Sequence, residues 1–172
     1  GYGGYSYDGR WVPVSKDIVN FFDLKKGSKI LDVGCAKGFL IYDLKNLGMN
    51  VYGLDVSEYA KKNSVEGISD HITIGDAKKL PYKNDYFDLV LSINTIHNLE
   101  KKECEETIKE LSRVVKNKKN VFIQVDSYET KEEKELFESW VLTAKYNDYT
   151  YEWEKLFNKC NYKGYYFWTI IK

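Results

Sequence analysis

The 172-residue chain is 43% hydrophobic and 30% charged, and its 26 Lys+Arg offset its 26 Asp+Glu to a formal net charge of zero. Such a composition marks a folding chain rather than a disordered one, and the length suits a single domain with its own core. The missing basic excess argues against a general nucleic-acid binder. The longest apolar stretches, Phe87 to Ile93 and Tyr165 to Ile171, fall far short of the roughly 20 residues needed to span a bilayer, so no membrane partner is expected.

Cys35, Cys104 and Cys160 are odd in number and lack a C-x-x-C pair. That pattern disfavours both a disulfide framework and a zinc site, and it suits a reducing, cytoplasmic setting. The start at Gly1, with no basic-then-apolar leader, reads as a trimmed fragment rather than a signal peptide.

In chain order, the glycine- and aromatic-rich opening, Gly1 to Trp11, has no period and reads as an ordered loop. A helix is expected after Pro13, capped by Ser15, with Ile18, Val19, Phe21, Phe22 and Leu24 on its apolar face and Gly27 as its stop. Lys29 to Val33 reads as a buried parallel strand, Gly34 to Gly38 as a glycine-bearing turn and Phe39 to Leu47 as the helix leaving it. The cycle repeats with strand Asn50 to Leu54, helix Ser57 to Asn63, strands Ile72 to Ile74 and Phe87 to Ile93, helix Lys101 to Val115 and strand Val121 to Val125. Two helices, Lys131 to Ala144 and Tyr151 to Cys160, and one closing strand, Tyr165 to Ile171, complete the chain. This alternation predicts an α/β fold: a Rossmann-like, doubly wound, mostly parallel sheet of six or seven strands with helices on both faces, in one domain spanning residues 1–172. No repeat or linker divides it.

The chemistry concentrates at strand ends. In Ile30-Leu31-Asp32-Val33-Gly34-Cys35-Ala36-Lys37-Gly38 a strand runs straight into a turn whose glycines are expected to let the backbone approach a ligand. A glycine-bearing βα turn also serves purely structural ends, so the motif alone is moderate support. Asp55 ends the second strand at about the spacing where a carboxylate accepts ribose hydroxyls, and Asp76 ends the third in Gly75-Asp76-Ala77, at the sheet edge where open α/β folds bind ligands. Each Asp alone is an ordinary loop residue; their agreement across three strand ends carries the reading.

These blocks, in order from about Lys29 to Asp126, resemble those of class I S-adenosylmethionine-dependent methyltransferases. The resemblance implies S-adenosyl-L-methionine as the methyl donor. It implies that Gly34, Ala36 and Gly38 surround the methionine part, Asp55 holds the ribose, and Asp76 with the Ala77 amide recognises adenine. Asp32 would fix the methionine amino group, with the Asn94 backbone beside it. Ala36 departs from the glycine common at that position in the family, and the C-terminus offers one strand where the family usually has an antiparallel hairpin. A nicotinamide-binding alternative, G-x-G-x-x-G/A, fits poorly, because the turn here runs G-x-A-x-G.

Methyl transfer from a sulfonium needs mainly alignment and the exclusion of water. His97, following the fourth strand, is the candidate base, with structural packing or hydrogen bonding an equal alternative, and Asp126, closing the fifth, could orient an acceptor or pair with an acceptor amine, with ordinary loop capping an equal alternative. His71, at the other edge, reads as structural. Tyr2, Tyr5, Tyr7 and Trp11 form a candidate lid over the cofactor, residues 1–12, weighed against simple edge packing. With no appended substrate domain, the expected partner is a small-molecule acceptor taking the methyl on O or N, such as a sugar, lipid head group or natural-product intermediate, and a homodimer is left open. An RNA or protein methyltransferase and a non-catalytic S-adenosylmethionine-binding module are the alternatives. The Lys-rich stretches Lys61-Lys62 and Lys116 to Lys119 read as solvated helix ends.

Overall fold

A parallel sheet requires a crossover between successive strands, and this sequence places a helix in most of them. The structure, a computed structural model, describes residues 6–141 and 143–172. In chain order these form α1 (Trp11–Phe21), β1 (Lys29–Val33), α2 (Phe39–Asn46), β2 (Asn50–Asp55), α3 (Glu58–Lys62), β3 (Ile72–Ile74), β4 (Leu89–Ile93), α4 (Lys101–Val114), β5 (Val121–Asp126), α5 (Lys131–Trp140), α6 (Thr150–Lys159) and β6 (Tyr165–Thr169). The 6-stranded sheet has the order β3-β2-β1-β4-β5-β6, and every pair within it is parallel. The order reverses between β1 and β4, the switch point at which open α/β sheets bind ligands. Among the described residues no helix is long and apolar enough to cross a membrane.

Alternation along the strands divides the core into two layers. Ile30, Leu89 and Leu91 face the side where α1 and α2 pack, through Ile18, Phe22, Leu40 and Leu44. Leu31, Val33, Val90, Ile123 and Val125 face the opposite side, against Ile108 and Leu111 of α4 and Trp153 and Phe157 of α6. β6 follows the same parity. Its register sets Tyr166 beside Ile123 and Trp168 beside Val125, and both rings stack on Phe157 of α6. Tyr165 and Phe167 fall on the other face, beside Phe122 and Gln124. There Phe167 remains 57% exposed.

Several boundaries differ from expectation for identifiable reasons. α1 starts at Trp11, two residues before Pro13, because a proline in the first turn loses no hydrogen bond the helix would make. Ser15 is therefore not a cap: it is buried within the helix, and its hydroxyl donates to the Val12 carbonyl. α5 stops at Trp140, earlier than expected, and opens with a Thr130/Glu133 capping box. β4 begins at Leu89, and Phe87 makes only an isolated bridge to Val115. The single C-terminal strand pairs parallel to β5, so the hairpin usual in the family is absent from the described residues.

The glycine at the β1 exit is needed for packing within the protein. Gly34 has φ 83°, and a Cβ there would overlap the Thr95 side chain that follows β4. At Gly38, with φ 75°, a Cβ would lie 2.5 Å from Ile68 Cγ2. The expected approach to a ligand is thus not the first reason for either residue: strand tips lock against one another where side chains are missing. Gly34→Ala is expected to lower stability by about 2–5 kcal/mol, combining left-handed backbone strain with overpacking. Gly67→Ala, at φ 78° but with no neighbouring atom within 4 Å, incurs only the strain, about 1–2 kcal/mol. Urea midpoints at unchanged m-value read the difference, and equal losses would contradict the Thr95 contact.

Candidate functional site

The tips of β1, β2 and β3 are tied together by backbone hydrogen bonds and by one carboxylate. The amides of Gly34 and Cys35 donate to the Leu54 carbonyl at 2.7 and 3.2 Å, and the Gly75 amide donates to the Asp55 carbonyl at 3.0 Å. Asp55 Oδ2 accepts the Ala36 amide at 2.8 Å, and its Oδ1 accepts the Ser57 amide at 2.9 Å. Ser57 in turn caps α3 by accepting the Ala60 amide. Ala36 has φ 46°, a conformation that costs a residue with a Cβ about 1–2 kcal/mol, and the bond to Asp55 helps hold it. Each carboxylate oxygen keeps a further lone pair for a ligand hydroxyl.

A cavity of about 400 Å³ opens beside this turn, and Asp32, Gly34, Ala36 and Asn94 all line it, with Tyr59 and Trp11 at its sides. It sits at the β1/β4 switch point. Asp32 is 5% exposed, and burial together with the nearby Asp55 carboxylate pushes its pKa up to about 7. Its carboxylate accepts no hydrogen bond from any described residue. A buried carboxylate that faces a cavity without a partner suits a ligand ammonium. Asn94, at φ 51°, donates its amide to the Gln124 carbonyl at 2.8 Å. Both polar atoms of its side chain are buried without a partner among the described residues.

Asp55, Asp76, Ala77 and Gly38 are not on that cavity's lining; they continue the row of tips beyond it. Asp76 is exposed, and its Oδ1 accepts the Lys78 amide at 2.9 Å. Lys78 Nζ reaches Asp76 at 3.5 Å and Glu103 at 2.5 Å. Ala77 is buried under the end of β3.

His97 and Asp126 occupy a different position. His97 is 4% exposed, and neither residue lines this cavity or the larger one next to it. His97 Nδ1 accepts the Asp126 amide at 3.1 Å, which places the ring proton on Nε2, 3.8 Å from Asp126 Oδ2. The His97 carbonyl accepts the amides of Lys145 and Tyr146. Burial pulls the imidazole pKa down to about 4 and pushes the Asp126 carboxyl up to about 6. A neutral, enclosed imidazole whose acceptor nitrogen is already used fastens the β4 exit to the β5 end, and this setting gives it little capacity as a base. His71, at the other edge, lies with Nδ1 3.1 Å from the Val51 carbonyl, a structural contact.

Of the proposed lid, Tyr2 and Tyr5 lie outside the described residues. Tyr7 donates to Asp43 and meets Phe39 and Tyr42 edge-on, so it packs on α2. Trp11 lines both cavities. Trp11 is thus the member of the expected lid that stands at the cavity. Thr95 was missed in the sequence: nothing local marks it, because its partner is 61 residues earlier.

The comparisons with known proteins agree with this geometry. A family described as "Methyltransferase domain" matches residues 31–123, more than half of the chain. An uncharacterized methyltransferase of Geobacillus sp. (strain WCH70) is 32% identical over 116 residues, covering 66% of this chain and 54% of that protein. A tRNA (carboxymethyluridine(34)-5-O)-methyltransferase of Arabidopsis thaliana is 36% identical over 130 residues, 72% of this chain and 30% of its own. Norajmaline N-methyltransferase of Rauvolfia serpentina is 31% identical over 115 residues, 61% of this chain and 39% of its own. The chain thus spans about half or less of the length of these relatives. A methyltransferase solved in complex with the Trm112 methyltransferase activator from Haloferax volcanii shares the fold, with a TM-score of 0.70 and 20% identity over 87% of this chain and 67% of that one. With the switch-point cavity and the Asp55-tied turn already in place, the match over residues 31–123 shows that the chain belongs to the class I S-adenosylmethionine-dependent methyltransferase family.

Proposed function

We propose that this chain binds S-adenosylmethionine in the switch-point cavity and transfers its methyl group to an O or N atom of a small molecule. The observation that carries the reading is the buried Asp32 carboxylate, without a hydrogen-bond partner among the described residues, beside a glycine turn held by Asp55. When bound, S-adenosylmethionine supplies an already activated sulfonium methyl. Asp32 would pair with its ammonium group, Gly34 and Ala36 would surround the methionine chain, and the spare lone pairs of Asp55 would accept ribose hydroxyls. Asp76 and the Ala77 amide would meet the adenine. The chain's remaining task is alignment and the exclusion of water, which is where most of the rate gain for such a transfer lies.

The relative that acts on tRNA keeps an RNA acceptor in view, but two of the three lysines in the basic stretch 116–119 are paired with carboxylates. Lys116 is paired with Asp88 at 2.7 Å and Lys118 with Asp85 at 2.5 Å. These pairs, with the absence of a basic excess, lend support to a small-molecule acceptor.

Three measurements test the assignment. Asp55→Ala should weaken S-adenosylhomocysteine binding by about 1.5–3 kcal/mol in calorimetry, the loss of charge-assisted hydrogen bonds; unchanged binding refutes the ribose role.

Asp32 should also make stability depend on pH. Its folded pKa lies above the unfolded value, so its contribution is complete below about pH 4 and is lost as pH rises to about 7. His97, whose pKa is lowered, acts with the opposite sign between about pH 4 and 6.5. The informative quantity is therefore the stability of wild type minus that of Asp32→Asn, which should fall across pH 4–7. A flat difference would contradict the burial of a partnerless carboxylate.

We assign His97 a positioning role. His97→Ala should lower stability by about 1–3 kcal/mol, because the Asp126 amide loses its acceptor. His97→Asn, which restores an acceptor but is no base, should recover stability and keep kcat within a few-fold. A drop of 10²-fold or more in the kcat of a stable His97→Asn protein would establish the base expected from the sequence.

A further inference from the structure

Next to the switch-point cavity lies a larger one of about 670 Å³, within the range of small-molecule sites. The two share Trp11, Ile93 and Asn94 as a common wall. The larger space runs between α1 and the face of β4, β5 and β6 beneath it, and Phe21 of α1 closes one end by lying edge-on to Tyr165. Val14, Ile18 and Phe21 of α1 form one side, and Ile93, Phe122 and Tyr165 form the floor.

Polar groups on its lining are few and mostly committed. Gln124 donates to Thr169 Oγ1 at 3.0 Å, and Arg10 is paired with Asp8. Asp17 is the one carboxylate among the described residues of the lining. Those residues include no group of basic side chains for a phosphate and few neutral donors and acceptors for a sugar. Asn94 stands on the shared wall, but both polar atoms of its side chain are closed off behind that wall.

We infer that the methyl acceptor is a mainly hydrocarbon ring compound, seated between α1 and the β4–β6 face, with its one amine or hydroxyl at the Asn94 wall. This narrows the wider range of sugars and lipid head groups, and it rests on the switch-point cavity being the donor site. The acceptor N or O forms a bond to the sulfonium methyl as the C–S bond breaks. The electron pair stays on sulfur, leaving S-adenosylhomocysteine, and the acceptor's proton passes to water. The shared wall would hold the nucleophile beside the donor, and the aromatic floor would bury the ring body.

The test uses the whole chain with saturating S-adenosylhomocysteine and N-phenyl-1-naphthylamine, a neutral aryl amine that fluoresces in apolar surroundings. Val14 and Phe21 are exposed at 37% and 63%, so Val14→Glu and Phe21→Glu are expected to leave the fold intact. Wild type should bind the probe saturably, and each variant should bind it at least tenfold more weakly. Affinity for S-adenosylhomocysteine, measured by calorimetry, should stay within twofold in both. The inference is overturned if liganded wild type shows no saturable probe binding or if both variants bind the probe like wild type. It is also overturned if sedimentation finds a dimer that Phe21→Glu splits, since the groove would then belong to a contact between copies. Failure of wild type to bind S-adenosylhomocysteine would instead reject the donor site, and this inference with it.

Discussion

Everything at the site depends on one aspartate whose side chain and carbonyl serve two strand tips. Asp55 closes β2, and its side chain holds the amide of Ala36 in the turn after β1, while its carbonyl holds the Gly75 amide after β3. Parallel strands bring their carboxyl ends to one edge but do not fix the loops leaving them; here a charge-assisted hydrogen bond and two backbone bonds do so. The turn is held in a conformation that a residue with a Cβ resists, and it therefore exists as a shaped rim before any ligand arrives. Such preorganisation is what a binding site for a flexible sulfonium donor requires.

The second constraint is the parity of the sheet. Because β6 runs parallel to β5, its side chains take the same alternation as those of β5. One face is closed by α6, where Phe157 stacks on Tyr166 and Trp168. The other face is left to α1, whose contacts are mainly with α2 and the middle of the sheet. The apolar space beside the switch-point cavity follows from that asymmetry, and Asn94, at the end of the strand next to the switch point, stands between the two. Both spaces are thus products of one sheet order.

Much of this was legible in the sequence. Continuous apolar runs separated by amphipathic stretches gave the parallel sheet, and Gly34, Asp55 and Asp76 marked strand tips, because glycine and aspartate are out of place inside buried strands. What stayed hidden depends on contacts distant in the chain. The reason for Gly34 is Thr95, and the reason for His97 is the Asp126 amide; no local period encodes either. A histidine after a strand looks the same in sequence whether it faces a cavity or lies behind one, and only burial separates the two. The start of α1 was hidden by Pro13, read as a boundary where the helix uses it in its first turn.

The most direct test of the account is a crystal structure with S-adenosylhomocysteine bound. The account predicts the ammonium group against Asp32, the ribose hydroxyls on Asp55, and the thioether sulfur facing the wall of Trp11, Ile93 and Asn94. An adenosyl group bound away from the β1–β3 tips, or a sulfur pointing away from that wall, would contradict it.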